Sequence, residues 1–257
     1  MRKIAGNGGA VILIVSALLI LRHGAGGAFH AQAASAPLSK TDGRCPAGTV
    51  FVPGGDFLMG TDETLVEHLA RICSRYMGGC LREWFEVEAP RRSVYVPPFC
   101  IERCETPNSK GNLPSGGLNW MEADARCRLA GRQLCTEAQW EKACAGAEGA
   151  AWSYGPKYSP GACNIAGDGL KASGSSPECS SGYGAEDMNG NLMEWTADSV
   201  EAAAGKRIVR KEYVMKGGSW KSLAFFTRCA SREFYAPSLS DATFGARCCV
   251  KPGGGTR

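Results

Sequence analysis

Thirteen cysteines, at positions 45, 73, 80, 100, 104, 127, 135, 144, 163, 179, 229, 248 and 249, all lie beyond the first 44 residues of this 257-residue chain. No other feature constrains the fold as strongly, because a chain this rich in thiols either scaffolds a metal or is stapled by disulfides. Structural zinc sites favour close Cys/Cys or Cys/His pairs. The chain has no Cys-x-x-Cys spacing and its histidines are His23, His30 and His68 alone, so the cysteines predict disulfides and an oxidising compartment. Their odd number leaves at least one thiol free or paired between chains. Hydrophobic residues make up 44% and charged residues 21%, enough apolar material for one sizeable core or at most two small ones.

The formal net charge is +4, and the excess falls mainly on Arg2, Lys3 and Arg22 in a stretch without acids, leaving the remainder nearly neutral. A nucleic-acid partner therefore has no electrostatic footprint. The same N-terminal stretch reads as a secretory signal of bacterial-type export: a basic Met1-Arg2-Lys3, an apolar run from Ala10 to Leu21, and Ala31-Gln32-Ala33 as a small-x-small cleavage pattern. Residues 1–33 are assigned as signal peptide, with an uncleaved membrane anchor as the alternative. Residues 34–44 read as a linker, 45–250 as one domain, and 251–257 as a tail. The expected location is secreted or periplasmic.

Local patterns place the first elements. Val50 to Gly60 sets two β-prone runs about Pro53-Gly54-Gly55-Asp56 and predicts a hairpin opening the domain. Leu65, Leu69 and Ile72 recur at helical spacing after a start near Thr61 or Asp62, and His68 on that helix is expected at the surface. Asn119 with Glu122, and Thr136 with Gln139, are capping boxes opening two further helices, each carrying a tryptophan and a cysteine, Trp120 with Cys127 and Trp140 with Cys144. From Tyr154 to Cys249 the abundance of Gly, Ser, Pro and Asn predicts long loops and short strands.

Six motifs then occur in a recognisable order: Val52-Pro53-Gly54-Gly55 with Phe57-Leu58-Met59-Gly60, Glu105-Thr106-Pro107-Asn108, Ala130 to Glu141 (AGRQLCTEAQWE), Met188 to Thr196 (MNGNLMEWT), Lys216-Gly217-Gly218-Ser219-Trp220, and Phe244-Gly245-Ala246-Arg247-Cys248. In this the chain resembles the formylglycine-generating enzyme (sulfatase-modifying factor) family over about residues 45–250. The resemblance implies a loop-rich, single α+β domain, the family's variant of the C-type-lectin fold. It also implies two disulfides, Cys127 with Cys248 and Cys144 with Cys229. Cys73 and Cys80 suit a local bridge, and the remaining cysteines stay unassigned.

The family's oxidases hold copper on a closely spaced cysteine pair after the Gly-Gly-Ser motif, since soft thiolates select Cu(I). Ser222 and Thr227 stand at those positions here, and the interval to Cys229 is shorter than in the enzymes. Copper is therefore not expected. A non-haem iron site lacks histidines beyond His68, and Ser219, which matches a family active-site serine, lacks a base. The resemblance further implies calcium on Asn164, Ile165, Asp168 and Leu170, and on Asp187, Gly190, Leu192 and Glu194, oxygen donors of the hard type that Ca²⁺ prefers. The alternative is that these acids cap turns without an ion. The sequence thus predicts an exported, calcium-binding, non-catalytic domain with an unknown protein or small ligand in the family cleft, a sulfatase among the candidates, and membrane contact only through the N-terminal segment if that is uncleaved. The rival reading is an oxidoreductase converting a sulfatase cysteine to formylglycine, or using an unpaired thiol such as Cys249.

Overall fold

The structure, a computed structural model, describes the backbone of residues 44–204 and 207–253 and the side chains of these except 202–210. The proposed signal peptide, the linker up to residue 43, and residues 254–257 lie outside the described residues.

Strand β1 (Thr49–Val52) is followed at once by β2 (Gly55–Met59), yet the two do not pair. Instead β1 pairs antiparallel with β4 (Phe99–Glu102) and β2 with β3 (Arg92–Val96), so the predicted opening hairpin is replaced by a ribbon of two distant segments. The cause lies in the prolines. Pro53 on one segment and Pro97-Pro98 on the other lack the N–H that a continuous ladder needs, and the ribbon breaks into two sheets there. Gly54 lets the segments pass closely, because a Cβ at this position would sit 2.7 Å from Pro98 Cδ.

Between β2 and β3 the chain makes a helical excursion. Helix α1 (Glu63–Met77) begins at Asp62, whose carboxylate accepts from the Leu65 N–H, and ends at Gly78 in the left-handed region. It buries Val66, Leu69 and Cys73 and leaves His68 exposed. The Cys73–Cys80 disulfide closes its C-terminal end, and α2 (Glu83–Glu86) follows, burying Phe85. Helix α3 (Trp120–Leu129) and helix α4 (Glu137–Ala145) both carry the capping boxes predicted for them. They flank β5 (Gln133–Leu134).

The last stretch departs from expectation. Strands β6 (Met193–Ala204) and β7 (Arg207–Lys216) form a long antiparallel hairpin with two register shifts, although MEWTADSVEAAA shows no β-branched alternation. Pairing overrides weak propensity here. Then come a 3-10 turn (Ala224–Phe226), β8 (Arg232–Tyr235), β9 (Phe244–Ala246), which joins β6 in parallel, and β10 (Cys248–Val250). The sheets run β1-β4-β10-β5, β2-β3 and β8-β7-β6-β9.

Two main cores result, one around Trp140, Phe57, Phe99 and Ile101, the other around Trp195, Phe244, Leu134 and Met215. Strand β10 joins them. Successive strand residues point to opposite faces, so Cys249 enters the first core and bonds Cys135, while Cys248 enters the second and bonds Cys127. Cys144–Cys229, Cys45–Cys100 and Cys163–Cys179 complete the set. The unpaired thiol is Cys104, not Cys249. Among the described residues no helix is long and apolar enough to cross a membrane.

Candidate functional site

The loop after β7 is built on two glycines with positive φ. A Cβ at Gly217 would come within 2.9 Å of Met188 O and of the Trp140 ring, and one at Gly218 would meet Phe226 O and Thr227 Cγ2 at 2.8 Å and Ser222 Cβ at 3.2 Å. Ser222 and Thr227 therefore converge on one point. The structure brings together the two positions at which the resemblance places thiols.

Their hydroxyls are committed to the loop itself. Ser222 Oγ accepts the Ser219 N–H at 3.0 Å, Ser222 N donates to Ser219 O, and Ser219 Oγ accepts from Lys221 N at 3.3 Å, a side-chain-closed turn. Thr227 is fully buried and donates to Ala224 O at 2.9 Å. The loop is held from both sides. Asn189 Nδ2 donates to Thr227 O at 2.7 Å while its Oδ1 accepts from Ser153 N. Arg228 makes a buried two-pronged pair with Glu88, at 2.6 and 2.8 Å, and Phe85 stacks on Phe226 at 5.5 Å, so the α1–α2 excursion is clamped onto the loop.

Cys229 Sγ is in its disulfide. Cys104 is buried, with Sγ 3.8 Å from Glu186 Oε2, and burial pushes its thiol up to about 11, so it stays protonated and poorly nucleophilic at neutral pH. Among the described residues no group of three or more His, Cys, Asp or Glu side chains forms a metal site.

Residues 35–252 match the sulfatase-modifying factor enzyme 1-like domain. The chain belongs to the formylglycine-generating enzyme (sulfatase-modifying factor) family. Mouse formylglycine-generating enzyme is 32% identical over 167 residues, covering 54% of this chain and 44% of the relative. Mouse inactive C-alpha-formylglycine-generating enzyme 2 is 29% identical over 164 residues, covering 56% of this chain and 51% of the relative. The chain thus spans about half the length of these curated relatives. PvdO from Pseudomonas aeruginosa superposes over 79% of this chain and 94% of its own with a TM-score of 0.59 at 18% identity, a likeness of fold. The architecture is the family's α+β variant of the C-type-lectin fold.

Family motifs also locate the charged centre. Arg247, fully buried, spends all five of its N–H donors: two on Glu102 O and Arg103 O at 2.8 and 2.7 Å, one on Glu186 O at 2.7 Å, and two on the Glu194 carboxylate at 3.0 and 3.1 Å. Glu194 Oε2 additionally accepts Trp140 Nε1 at 2.6 Å. Nearby, the buried Glu105 accepts from Leu192 N, Asn191 Nδ2 and Ser173 Oγ, and desolvation raises it well above the ordinary glutamate value, with Glu194 and Asp187 adding to the rise.

That arrangement bears differently on the two calcium sets that the resemblance implies. In the second, Glu194 is already neutralised by Arg247, and Asp187 turns its Oδ2 to the Gly174 N–H at 2.6 Å. Both acids of this set are thus already engaged by protein groups. In the first set, Asn164 Nδ2 donates to Gly169 O and Asn191 Oδ1, which turns its Oδ1 toward Gly167, buried and without a partner. Asp168 is exposed three residues before Lys171. The first set thus contains a buried side-chain oxygen without a partner, Asn164 Oδ1, and an acid, Asp168, four residues on in the same loop, donors of the kind a hard cation takes.

The sequence reading did not single out Arg247, Glu105, Asn189 or the Arg228–Glu88 pair as functional. The first three lie inside motifs already visible in the sequence. Nothing in the sequence pairs Glu88 with Arg228, 140 residues away.

Proposed function

We propose that this chain is a non-catalytic binding domain of the formylglycine-generating enzyme family, working outside the cytoplasm and carrying one calcium ion. The observation that carries the reading is the pair of hydroxyls, Ser222 and Thr227, hydrogen-bonded into their own loop where a copper oxidase needs two free thiolates. Six disulfides support an oxidising location. The occupant of the cleft is a protein or small ligand, and a sulfatase is the first candidate to try.

Copper affinity tests it. Oxidised protein titrated with Cu(I) against a chromophoric chelator should compete weakly, and it should take up no oxygen with a cysteine-containing sulfatase peptide. Tight one-to-one Cu(I) binding with oxygen uptake would sink the proposal. Because both side chains approach the same point beside Gly218, the double variant Ser222→Cys with Thr227→Cys should gain Cu(I) affinity by orders of magnitude over either single variant. Equal affinity of double and single variants would show that the positions do not converge.

Calcium would be held by Asn164 Oδ1, the Asp168 carboxylate and the carbonyls of Ile165 and Leu170, where it ties down the loop closed by Cys163–Cys179. A ligand binding only the folded state at one hundred times its Kd adds about 2.7 kcal/mol, or a rise in Tm of several degrees for a domain of this size. Millimolar Ca²⁺ should produce that rise in the wild type and not in Asp168→Ala, an exposed position whose loss leaves the fold alone. An identical response in both proteins would remove Asp168 as a ligand.

A further inference from the structure

Strand β8 is an edge. It pairs with β7 on one side and with no strand on the other among the described residues, so its outer backbone donors and acceptors face a neighbouring groove. The groove, of about 440 Å³, runs between all four residues of β8 and the wall made by Trp84, Val87 and Phe226. It takes in neither Ser219, Ser222 nor Thr227. Unpaired strand edges are usually blunted by charge, proline or a covering element. Here the edge is left beside exposed aromatic surface, with Trp84 42% exposed.

The charges in the groove are mostly spent. Arg232 Nη2 pairs with Glu137 at 2.8 Å and its Nη1 donates to Val87 O, while Glu233 accepts the Tyr235 hydroxyl at 2.6 Å and is itself raised by burial. Glu83 at the rim is exposed and has no cation at ion-pair distance among the described residues. What remains on offer is a row of main-chain hydrogen-bonding groups, an aromatic wall and one free carboxylate.

We propose that β8 is a docking edge for an extended peptide segment of a partner protein, which adds as a strand in the groove with apolar side chains against Trp84 and Phe226 and a Lys or Arg toward Glu83. An extended peptide is the occupant because strand addition pairs the edge's main-chain donors and acceptors in register, adjacent strands lying about 4.8 Å apart, with side-chain pockets supplying specificity. The proposal rests on the reading of the chain as a binding domain but uses a surface that shares only Phe226 with the Ser222–Thr227 loop.

The test pans a phage-displayed library of linear dodecapeptides on the oxidised full chain. Each enriched peptide is then synthesised plain and with backbone N-methylation at alternate residues in each of the two registers. One register should lose at least tenfold in affinity and the other little, since alternate strand amides point at the edge. Amide exchange over residues 232–235 should slow with the plain peptide, and Glu83→Lys should weaken basic peptides at least fivefold. No enrichment, equal loss in both registers, protection elsewhere, or dimerisation of the chain through β8 that the peptide does not displace would each overturn it. The Cu(I) and oxygen assays on the same preparation separate the two readings, because oxidase activity alongside edge binding would sink non-catalysis and leave the docking edge standing.

Discussion

Arg247→Ala is expected to cost at least about 3–5 kcal/mol, the range for breaking a buried ion pair by removing one partner. Against a typical total stability of 5–15 kcal/mol, that leaves the domain marginal or unfolded. The physical reason is the five-donor arrangement: without the guanidinium, Glu194 is left charged and buried with only Trp140 Nε1, and the carbonyls of Glu102, Arg103 and Glu186 each lose a donor, Arg103 O keeping the Glu186 N–H. Arg247→Lys should recover little, since an ammonium brings three donors in the wrong geometry. Thermal melts of Arg247→Met alone and together with Glu194→Gln decide the matter. The double variant should be more stable than Arg247→Met, because it removes the stranded charge. If adding Glu194→Gln gives no recovery, the charge is not what makes the loss severe.

Removing the disulfide that crosses the first core comes next. Cys135 and Cys249 lie 114 residues apart in sequence, but with Cys127–Cys248 in place the covalent path between them is only about nine residues, so the chain-entropy account gives their bond about 2.5 kcal/mol. Replacing both by serine should lower Tm by about 5–10 °C at 2–4 °C per kcal/mol, with Cys127–Cys248 still formed. Replacing Cys73 and Cys80, separated by 7 residues, opens a loop of similar size and should cost about as much in closure entropy. Calorimetry of the two double variants gives the comparison, and a much larger loss for the first pair would mean that packing of the half-cystines, not loop length, sets their contribution.

The chain carries local and family information in different forms. Capping boxes at Asn119 and Thr136 depend on residues three apart, and both helices start there. The α1 pattern likewise holds, because a helix face is fixed by spacing alone. The opening hairpin fails for the opposite reason. Which strand pairs with β1 is a long-range choice, and here Pro53 facing Pro97-Pro98 selected a ribbon with a segment some fifty residues on. The length of β6 and β7 was hidden as well, since Ala and Glu extend as strands only when a partner is already in place.

The sequence by itself determined the family, through six motifs in a fixed order. It also put the hydroxyl residues Ser222 and Thr227 at the positions where the family resemblance implies thiols. Tertiary structure alone decided three things. It left Cys104 as the unpaired thiol by directing Cys249 into the first core toward Cys135. It gave Glu194 to Arg247 and left Asn164 Oδ1 buried without a partner. And it set α2 beside the free edge of β8, making a groove from residues nearly 150 positions apart. Each of these turns on which distant groups meet in a buried, low-dielectric interior, where pairing and desolvation outweigh local propensity.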